Sequence, residues 1–426
     1  MPGPSTARYI AGVAVRVRGG RSGRPTTAAP GRGRLFLAAR QLRLSASAAM
    51  RQARLAVAGA RQRAHSSAGP ANVDNLRRDS VRLLPPQVSE YFDQGAGYGV
   101  SAREAVAAWD RIRFQPRMLR DVSAVSTSTS VLGRPVATPI LVAPTAMQRA
   151  AHPDGELATA RATAACGSLL TLSTNSGTRF AAIAATGTAW WLQLYVMRDR
   201  GLTKALLQEA REAGTAAIVL TVDAPVVGRK FTAGHSIHQV TPAGFFQANV
   251  TNADLPADAS RYAADLTPED IGWLRDLTGL PVVVKGVLRA DDARLMVAAG
   301  ASAVHVSNHG GRQLDQAVAT AEVLPEIAAA LAGSGAEVYV DGGIRSVEHV
   351  LAALALGARA VFLGRPVLWA LAAGGDAGRG GEEGVTKLLT GLTGDLSGVM
   401  ALAGVRTPDE ISADLIRRPA GPVPGW

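Results

Sequence analysis

Eight short apolar segments alternate with helical patterns, and this alternation restricts the possible folds more than any other feature of the sequence. The strand-like segments are residues 139–143, 169–173, 190–196, 217–222, 282–284, 303–306, 338–340 and 360–363. Helical patterns separate them at residues 156–166, 179–185, 202–213, 268–277, 290–299, 321–331 and 347–356. This order predicts an α/β fold, either a closed (β/α)8 TIM barrel or a doubly wound sheet. Strands of nearly equal length favour the barrel.

Arginine is concentrated at the N-terminal end, where residues 1–80 contain 15 arginines and only two acidic side chains. Such a segment can bury little surface, so we predict a disordered basic extension with a short helix near residues 48–60. Its composition suits an organelle transit peptide, a basic arm for anionic surfaces, or an extension without function, and we favour the last. The remaining residues carry 30 basic and 32 acidic side chains, so no nucleic-acid partner is expected.

The barrel domain is predicted to span residues 81–412, with a helical segment at its N-terminal end and a tail at residues 413–426. One connector interrupts the regular pattern. The stretch between Asp223 and Thr267 has no strong periodicity and leaves the end of the fourth strand. Because barrel active sites lie at the carboxyl ends of the strands, we interpret this long connector as a lid over the site.

The single cysteine, Cys166, excludes an internal disulfide and fits a reducing compartment. We therefore predict a cytoplasmic protein, with organelle import through residues 1–80 as the alternative. No uncharged apolar run of 18 residues occurs, so no membrane span is predicted. No metal site is predicted either.

The sixth predicted strand ends in the sequence SNHGGRQLD, which contains His309 and Arg312. A histidine can accept a proton near neutral pH, and an arginine can bind a carboxylate through two hydrogen bonds. This pair suggests proton abstraction from a small carboxylate, although a strand-capping histidine and a surface arginine would give the same pattern. Lys285 ends the fifth strand and would need an anionic partner if buried.

The last two strands end in glycine and arginine, at the place where TIM barrels commonly bind phosphate. Gly343 and Gly364 allow backbone N–H groups to approach an anion. Arg345 and Arg365 follow them and would neutralise a phosphate group. Two such arginines after adjacent strands predict a phosphate site.

Seven sequence blocks resemble the FMN-dependent 2-hydroxy acid dehydrogenase and oxidase family, which includes glycolate oxidase, lactate oxidase and mandelate dehydrogenase. In chain order they are APTAMQRAAHPDGE, QLYV, TVDAP, VKGV, SNHGGRQLD, VDGGIR and VFLGRP, and the similarity extends over residues 84–412. The resemblance implies oxidation of an (S)-2-hydroxy acid to the 2-oxo acid, with FMN as cofactor. Electrons would pass to O2 or another acceptor, and the family's habit implies a homo-oligomer, commonly a tetramer.

The resemblance also assigns roles to individual residues. His309 would be the base, with Asp223 stabilising its protonated form and Tyr195 bonding the substrate. Arg312 and Tyr91 would hold the substrate carboxylate. The residues implied to contact the cofactor are Ala146, Ser173, Gln193, Thr221, Lys285 and Ser307 at the ring, and Asp341, Gly343, Arg345, Gly364 and Arg365 at the phosphate.

Two positions depart from the family pattern. Lys230 stands where a second carboxylate-binding arginine is usual, unless neighbouring Arg229 takes that place. A lysine keeps the positive charge but cannot form a two-pronged contact. Asn175 stands where an apolar or aromatic residue is common and would border the substrate side chain. Two alternatives to turnover of a 2-hydroxy acid are a different FMN barrel enzyme and an FMN-binding protein of this fold that lacks turnover.

Overall fold

The computed structural model describes residues 72–231, 237, 240–250, 261–374 and 380–417. Its centre is a closed barrel in which every neighbouring pair of strands is parallel. The barrel strands are β4 (Ile140–Val142), β5 (Leu169–Ser173), β6 (Ala189–Leu194), β7 (Ile218–Thr221), β8 (Val282–Val287), β9 (Ala303–Val306), β10 (Glu337–Val340) and β11 (Ala360–Leu363). All eight predicted strands are present, so the TIM barrel prediction is confirmed and the open sheet is excluded.

Helices surround the barrel and precede it. They are α1 (Val73–Leu83), α2 (Pro86–Asp93), α3 (Val100–Asp110), α4 (Gln148–Ala151), α5 (Gly155–Ala165), α6 (Phe180–Ala184), α7 (Arg200–Glu212), α8 (Glu269–Thr278), α9 (Ala290–Ala298), α10 (Thr320–Ala330), α11 (Val347–Ala355), α12 (Arg365–Ala373) and α13 (Gly381–Ala403). Each predicted helical pattern coincides with one of them to within a few residues. Two short antiparallel pairs complete the sheet structure, β2 (Thr129–Val131) with β3 (Arg134–Val136) and β1 (Arg113–Phe114) with β12 (Ile416–Arg417).

Two domain boundaries differ from the sequence prediction. Helix α1 begins at Val73, inside the segment assigned to the disordered extension, and the Asn72 side chain caps it by accepting from the Asn75 N–H. Strand β12 lies inside the predicted C-terminal tail, where its pairing with β1 fixes it. Residues 1–71, with the predicted helix near residues 48–60, and residues 418–426 lie outside the described residues.

Helix α12 was not predicted, although it begins directly after the last barrel strand. Pro366 occupies its first turn, where the missing backbone N–H is not needed. Every residue from Pro366 to Ala373 is buried. A helix that is apolar on all sides has no amphipathic period, so the pattern that revealed the other helices is missing here.

Helix α13 belongs to a stretch, Gly381–Glu410, that is long and apolar enough to cross a membrane by length and composition. The core helix of a globular protein passes the same test. Many of its apolar side chains, including Val385, Leu388 and Leu396, are buried within the main hydrophobic core of the described chain, whereas Leu402 is exposed. This packing accounts for the buried apolar residues of the helix.

Large aromatic side chains fill the lower part of the barrel interior. Trp191, Tyr339 and Phe362 point inward from three strands, and their ring centroids lie 5.6 to 6.0 Å apart. Side chains alternate between the interior and the helix layer along each strand, so the next inward residues lie one layer higher. The cavities described below lie above this aromatic layer, at the carboxyl ends of the strands.

Candidate active site

His309 and Asp223 form the central hydrogen bond of the site. Nδ1 of His309 lies 2.9 Å from Oδ1 of Asp223, which follows strand β7. Burial alone would raise the pKa of Asp223, but the charge and hydrogen bond of His309 outweigh it and lower the pKa. The carboxylate is therefore ionised and accepts a hydrogen bond from Nδ1–H of His309, and in the neutral imidazole Nε2 is then the proton acceptor.

The backbone around this pair is shaped for it. His309 has a positive φ of 56°, a conformation that side chains other than glycine rarely adopt, and its N–H donates to Ser307 Oγ at 3.0 Å. Gly286 lies at a bulge in strand β8 with φ of 109°. A Cβ atom added there would stand 2.6 Å from the side chain of Asp223. Only glycine leaves room for the carboxylate at this place.

Tyr195 approaches the imidazole from the other side. Its hydroxyl lies 3.3 Å from Nε2 of His309. Burial raises the pKa of Tyr195 well above its usual value, so the hydroxyl keeps its proton and can donate it in a hydrogen bond. The ring stacks on Tyr262, with centroids 4.2 Å apart and planes inclined by 18°. Tyr262, in the last part of the predicted lid, thus fixes the orientation of Tyr195.

Two cations face the same space as His309. Arg312 donates through Nη1 to the backbone carbonyls of Tyr91 and Gln94 at 2.9 and 2.8 Å, and its guanidinium lies over the Tyr91 ring. Lys230 donates through Nζ to the carbonyl of Gly228 at 2.8 Å. Burial, reinforced by the Arg312 charge, lowers the pKa of Lys230 to about 8. Both cations lie beside a cavity that His309 and Tyr195 also line.

The buried ammonium of Lys285 lies on the other side of the site. Its Nζ lies 3.1 Å from Oδ2 of Asp341 and donates to Ser307 Oγ at 2.8 Å. The Ser307 hydroxyl in turn donates to Oδ1 of Asp341 at 2.6 Å. Burial opposes ionisation of Asp341, but Lys285 and the other donors keep its pKa far below the usual value. Lysine, serine and aspartate therefore form one charge-balanced cluster.

Arg345 and Arg365 meet at the end of the barrel where a phosphate was predicted. Neither guanidinium forms an ion pair with a carboxylate in the described part of the chain. Arg365 instead donates to the backbone carbonyls of Phe92 and Gly310 at 3.1 and 2.9 Å. Arg345 donates to the Ile344 carbonyl and lies over the Trp369 ring. Burial lowers the pKa of Arg365 to about 9 and that of Arg345 to about 10, as expected for cations that lack an anion.

One continuous cavity brings together most of the predicted site residues. Those that line it are Tyr91, Ala146, Ser173, Asn175, Gln193, Tyr195, Thr221, Lys285, His309, Arg312, Asp341, Gly343, Arg345, Gly364 and Arg365. Lys230 lines the adjoining cavity, which shares His309 and Arg312 with the first. Asp223 and Ser307 do not line these two cavities, but they hydrogen-bond to His309 and Lys285, which do. No set of three His, Cys, Asp or Glu side chains suited to a metal ion occurs among the described residues.

Comparison with known proteins identifies the family. The family model described as FMN-dependent dehydrogenase matches residues 80–418. This chain belongs to the FMN-dependent dehydrogenase family.

Three relatives illustrate the similarity. An L-lactate oxidase of Nostoc sp. is 42% identical over 365 residues, covering 82% of this chain and 98% of the relative. The human 2-hydroxyacid oxidase 1 is 40% identical over 362 residues, covering 81% and 96%. A solved structure of a mandelate oxidase has a TM-score of 0.74 and 41% identity, with 83% of this chain and 99% of that chain covered.

FMN is the cofactor of this FMN-dependent dehydrogenase, and the residues present suit it. Arg345 and Arg365, which have no ion pair with a carboxylate among the described residues, provide the charge that a phosphate needs. Gly343 has φ of 83°, so its N–H can turn toward an anion. Ser173, Gln193 and Thr221 form a buried hydrogen-bonded row along one wall, with the Gln193 side chain joined to both hydroxyls at 3.1 Å. Polar groups along a cavity wall fit the edge of a flavin ring.

Three positions need a closer description. Asp341 was predicted to lie at the phosphate; it lines the cofactor cavity and forms an ion pair with Lys285. Arg229 lies over the Phe231 ring, 4.7 Å from its centroid, whereas Lys230 lines the cavity. The structure therefore places Lys230, and not Arg229, where the second cation was predicted.

Asn175 lines both cavities, but its side-chain amide is engaged with neighbours. Its Nδ2 donates to the hydroxyl of Tyr262, and its Oδ1 accepts from Gln247 Nε2 at 3.1 Å. Sequence reasoning missed Tyr262 and Gln247 because both lie in the aperiodic connector. Tyr262 is the one tyrosine in that connector, and this is the signal that could have indicated it. His305 was also missed, since it lies within an otherwise apolar strand.

Proposed function

We propose that this enzyme oxidises a small (S)-2-hydroxy acid to the corresponding 2-oxo acid. One observation carries the proposal. Nε2 of His309, freed as an acceptor by the bond from Nδ1 to Asp223, faces the cavity that Arg312 and Lys230 also line. A proton acceptor beside two cations suits a substrate that carries a carboxylate next to the atom that loses hydrogen.

Each residue then has a defined task. Arg312, Lys230 and Tyr91 bind the substrate carboxylate and orient the hydroxyl carbon toward the cofactor cavity. Nε2 of His309 accepts a proton from the substrate, and the Asp223 carboxylate stabilises the resulting imidazolium. The Tyr195 hydroxyl donates a hydrogen bond to the substrate oxygen. FMN, when bound, supplies the two-electron acceptor for the reaction. Lys285 lines the same cavity and would place positive charge beside the bound cofactor.

The names of relatives and the cavity wall bear on the electron acceptor and the substrate. Relatives named L-lactate oxidase and 2-hydroxyacid oxidase favour O2 as the acceptor. Asn175 and Tyr262 place polar atoms in the wall that faces the substrate side chain, which favours a small or polar substituent over a bulky apolar one. We therefore propose lactate and glycolate as better substrates than mandelate.

Anaerobic flavin reduction tests the proposal directly. The purified yellow protein is mixed without oxygen with glycolate, (S)-lactate, (S)-mandelate and longer (S)-2-hydroxy acids, and the flavin band is followed. We expect bleaching with one or more of these acids and none with (R)-lactate, the matched control. Rapid recolouring in air would support O2 as the acceptor. A flavin band that stays unbleached with every acid would contradict the proposed reaction.

Assembly and location remain proposals from the sequence. We propose a homo-oligomer, commonly a tetramer in similar proteins, and light scattering of the full chain would measure its mass. We propose a cytoplasmic location, with organelle import through residues 1–80 as the competing outcome. One relative is named a peroxisomal (S)-2-hydroxyacid oxidase, so organelle targeting occurs among similar proteins. Fluorescent fusions with and without residues 1–71 would distinguish the two locations.

A further inference from the structure

His305 is a buried histidine inside the barrel that the proposed reaction does not use. It lies in strand β9 with 1% of its surface exposed, opposite Lys285 in β8 and Tyr339 in β10. Its ring lies 4.6 Å from the Phe362 ring. Inward positions of TIM barrels are usually filled by branched apolar residues. A polar ring here loses its hydration, so its presence requires an explanation.

The imidazole lies beside the Lys285 cluster. Nε2 of His305 is 3.3 Å from Oδ2 of Asp341, the oxygen that also faces Lys285 Nζ at 3.1 Å. This approach lies outside the direction of a formed hydrogen bond, so Nε2 has no hydrogen-bond partner among the described residues. Small rotations of either side chain would complete the bond. His305 does not line the cofactor cavity, whereas Lys285 and Asp341 do.

The charge on His305 follows from its surroundings. Burial lowers its pKa, and the nearby Asp341 carboxylate only partly opposes that effect. Lys285 and Asp223 are the other charged groups that act on it. A neutral imidazole that carries its proton on Nε2 places the positive end of an N–H dipole close to Oδ2 of Asp341. That dipole offsets part of the carboxylate charge, which would otherwise neutralise Lys285.

We propose that His305 is a positioning residue that sets the reduction potential of the bound FMN by keeping the Lys285 charge available to the flavin ring. It acts through Asp341, which both side chains share. With the imidazole present, Asp341 binds Lys285 less strongly, and the potential at the ring edge is more positive. Reduced flavin is then stabilised. The inference rests on the proposed position of Lys285 beside the ring and not on the identity of the hydroxy acid.

The test measures the midpoint potential of FMN in the holoenzyme by equilibrium reduction against a reference dye, without any hydroxy acid. His305→Leu removes the N–H, and we expect the equilibrium constant for two-electron reduction to fall about tenfold, which equals about 30 mV for a two-electron couple. His305→Gln can restore an N–H donor and should recover part of the shift. His305→Gln also keeps the proposal testable if His305→Leu does not bind FMN.

Two further variants make the result specific. Thr171→Val is the matched control, because Thr171 is another buried inward polar residue without a hydrogen-bond partner in the described chain. Its potential should equal that of the wild type. Lys285→Met is the reference for a direct effect and should lower the potential more than His305→Leu does.

Three outcomes would overturn the inference. An unchanged potential in both His305 variants, with a shift in Lys285→Met, would reject the role of His305 and leave the proposed function intact. Equal shifts in His305→Leu and Thr171→Val would show a general packing effect. An unchanged potential in Lys285→Met would show that Lys285 does not act on the flavin, and the inference would fail with that assignment.

Discussion

Replacing Gly286 by alanine should displace Asp223 and slow proton transfer at His309 while the cofactor stays bound. The added Cβ would stand 2.6 Å from the Cβ and Cγ atoms of Asp223. Because carbon atoms in contact prefer about 3.5–4.0 Å, the carboxylate must move by about 1 Å. The 2.9 Å bond from Asp223 to His309 would then exceed hydrogen-bonding distance.

The size of the effect follows from that displacement. Loss of a hydrogen bond to a charged group costs about 1.5–3 kcal/mol. Misplacement of a catalytic group by about 1 Å can reduce the rate about 10²-fold. We therefore expect kcat/KM and the anaerobic rate of flavin reduction to fall about 10²-fold. The absorbance of bound FMN should remain, because Gly286 does not line the cofactor cavity.

A matched control separates backbone strain from the displacement of Asp223. Gly300 has nearly the same φ, 104° against 109°, and a Cβ there meets only the flexible end of the Arg275 side chain. Both alanine variants should lose stability, by about 1–3 kcal/mol, because both residues occupy conformations that suit glycine. Only Gly286→Ala should show slower anaerobic reduction of the flavin than the wild type. Reduction at the wild-type rate in Gly286→Ala, or equal losses in both variants, would refute the reasoning.

Other substitutions test the remaining assignments. His309→Ala should retain FMN and slow its reduction about 10²–10⁴-fold, and fast reduction would show that the base is misassigned. The KM for a 2-hydroxy acid should rise as the pH passes about 8, because Lys230 loses its proton there. Lys230→Arg should abolish that rise and lower KM. An unchanged KM would mean that Lys230 does not touch the substrate. Arg365→Met should weaken FMN binding about 10–10²-fold in calorimetry, since it removes one of the two buried cations proposed to hold the phosphate, and unchanged binding would place the phosphate elsewhere. Asn175→Leu should shift kcat/KM about tenfold toward bulky apolar substrates relative to lactate, and an unchanged ratio would place the substrate side chain elsewhere.

The sequence by itself determined the barrel and the kind of residue at each strand end. Strand–helix alternation is a local property, because each strand and helix records its own burial in its period. The same holds for the order of Lys285, His309, Arg345 and Arg365 along the chain, which follows from their positions within or after successive strands. Helix α12 escaped prediction because complete burial removes that period.

Tertiary structure decided which atoms meet. The ion pair of Asp341 with Lys285 depends on strands β8 and β10 lying on either side of β9, which no local pattern states. Two further contacts join residues that are distant in the chain: Tyr262 stacks on Tyr195, and His305 approaches Asp341. Lys230 and Arg229 are neighbours in the chain and differ only in the direction of their side chains. Such contacts depend on distances of about 3 Å, whereas a sequence pattern fixes only the face on which a side chain lies. Closure of the barrel converts those faces into an active site.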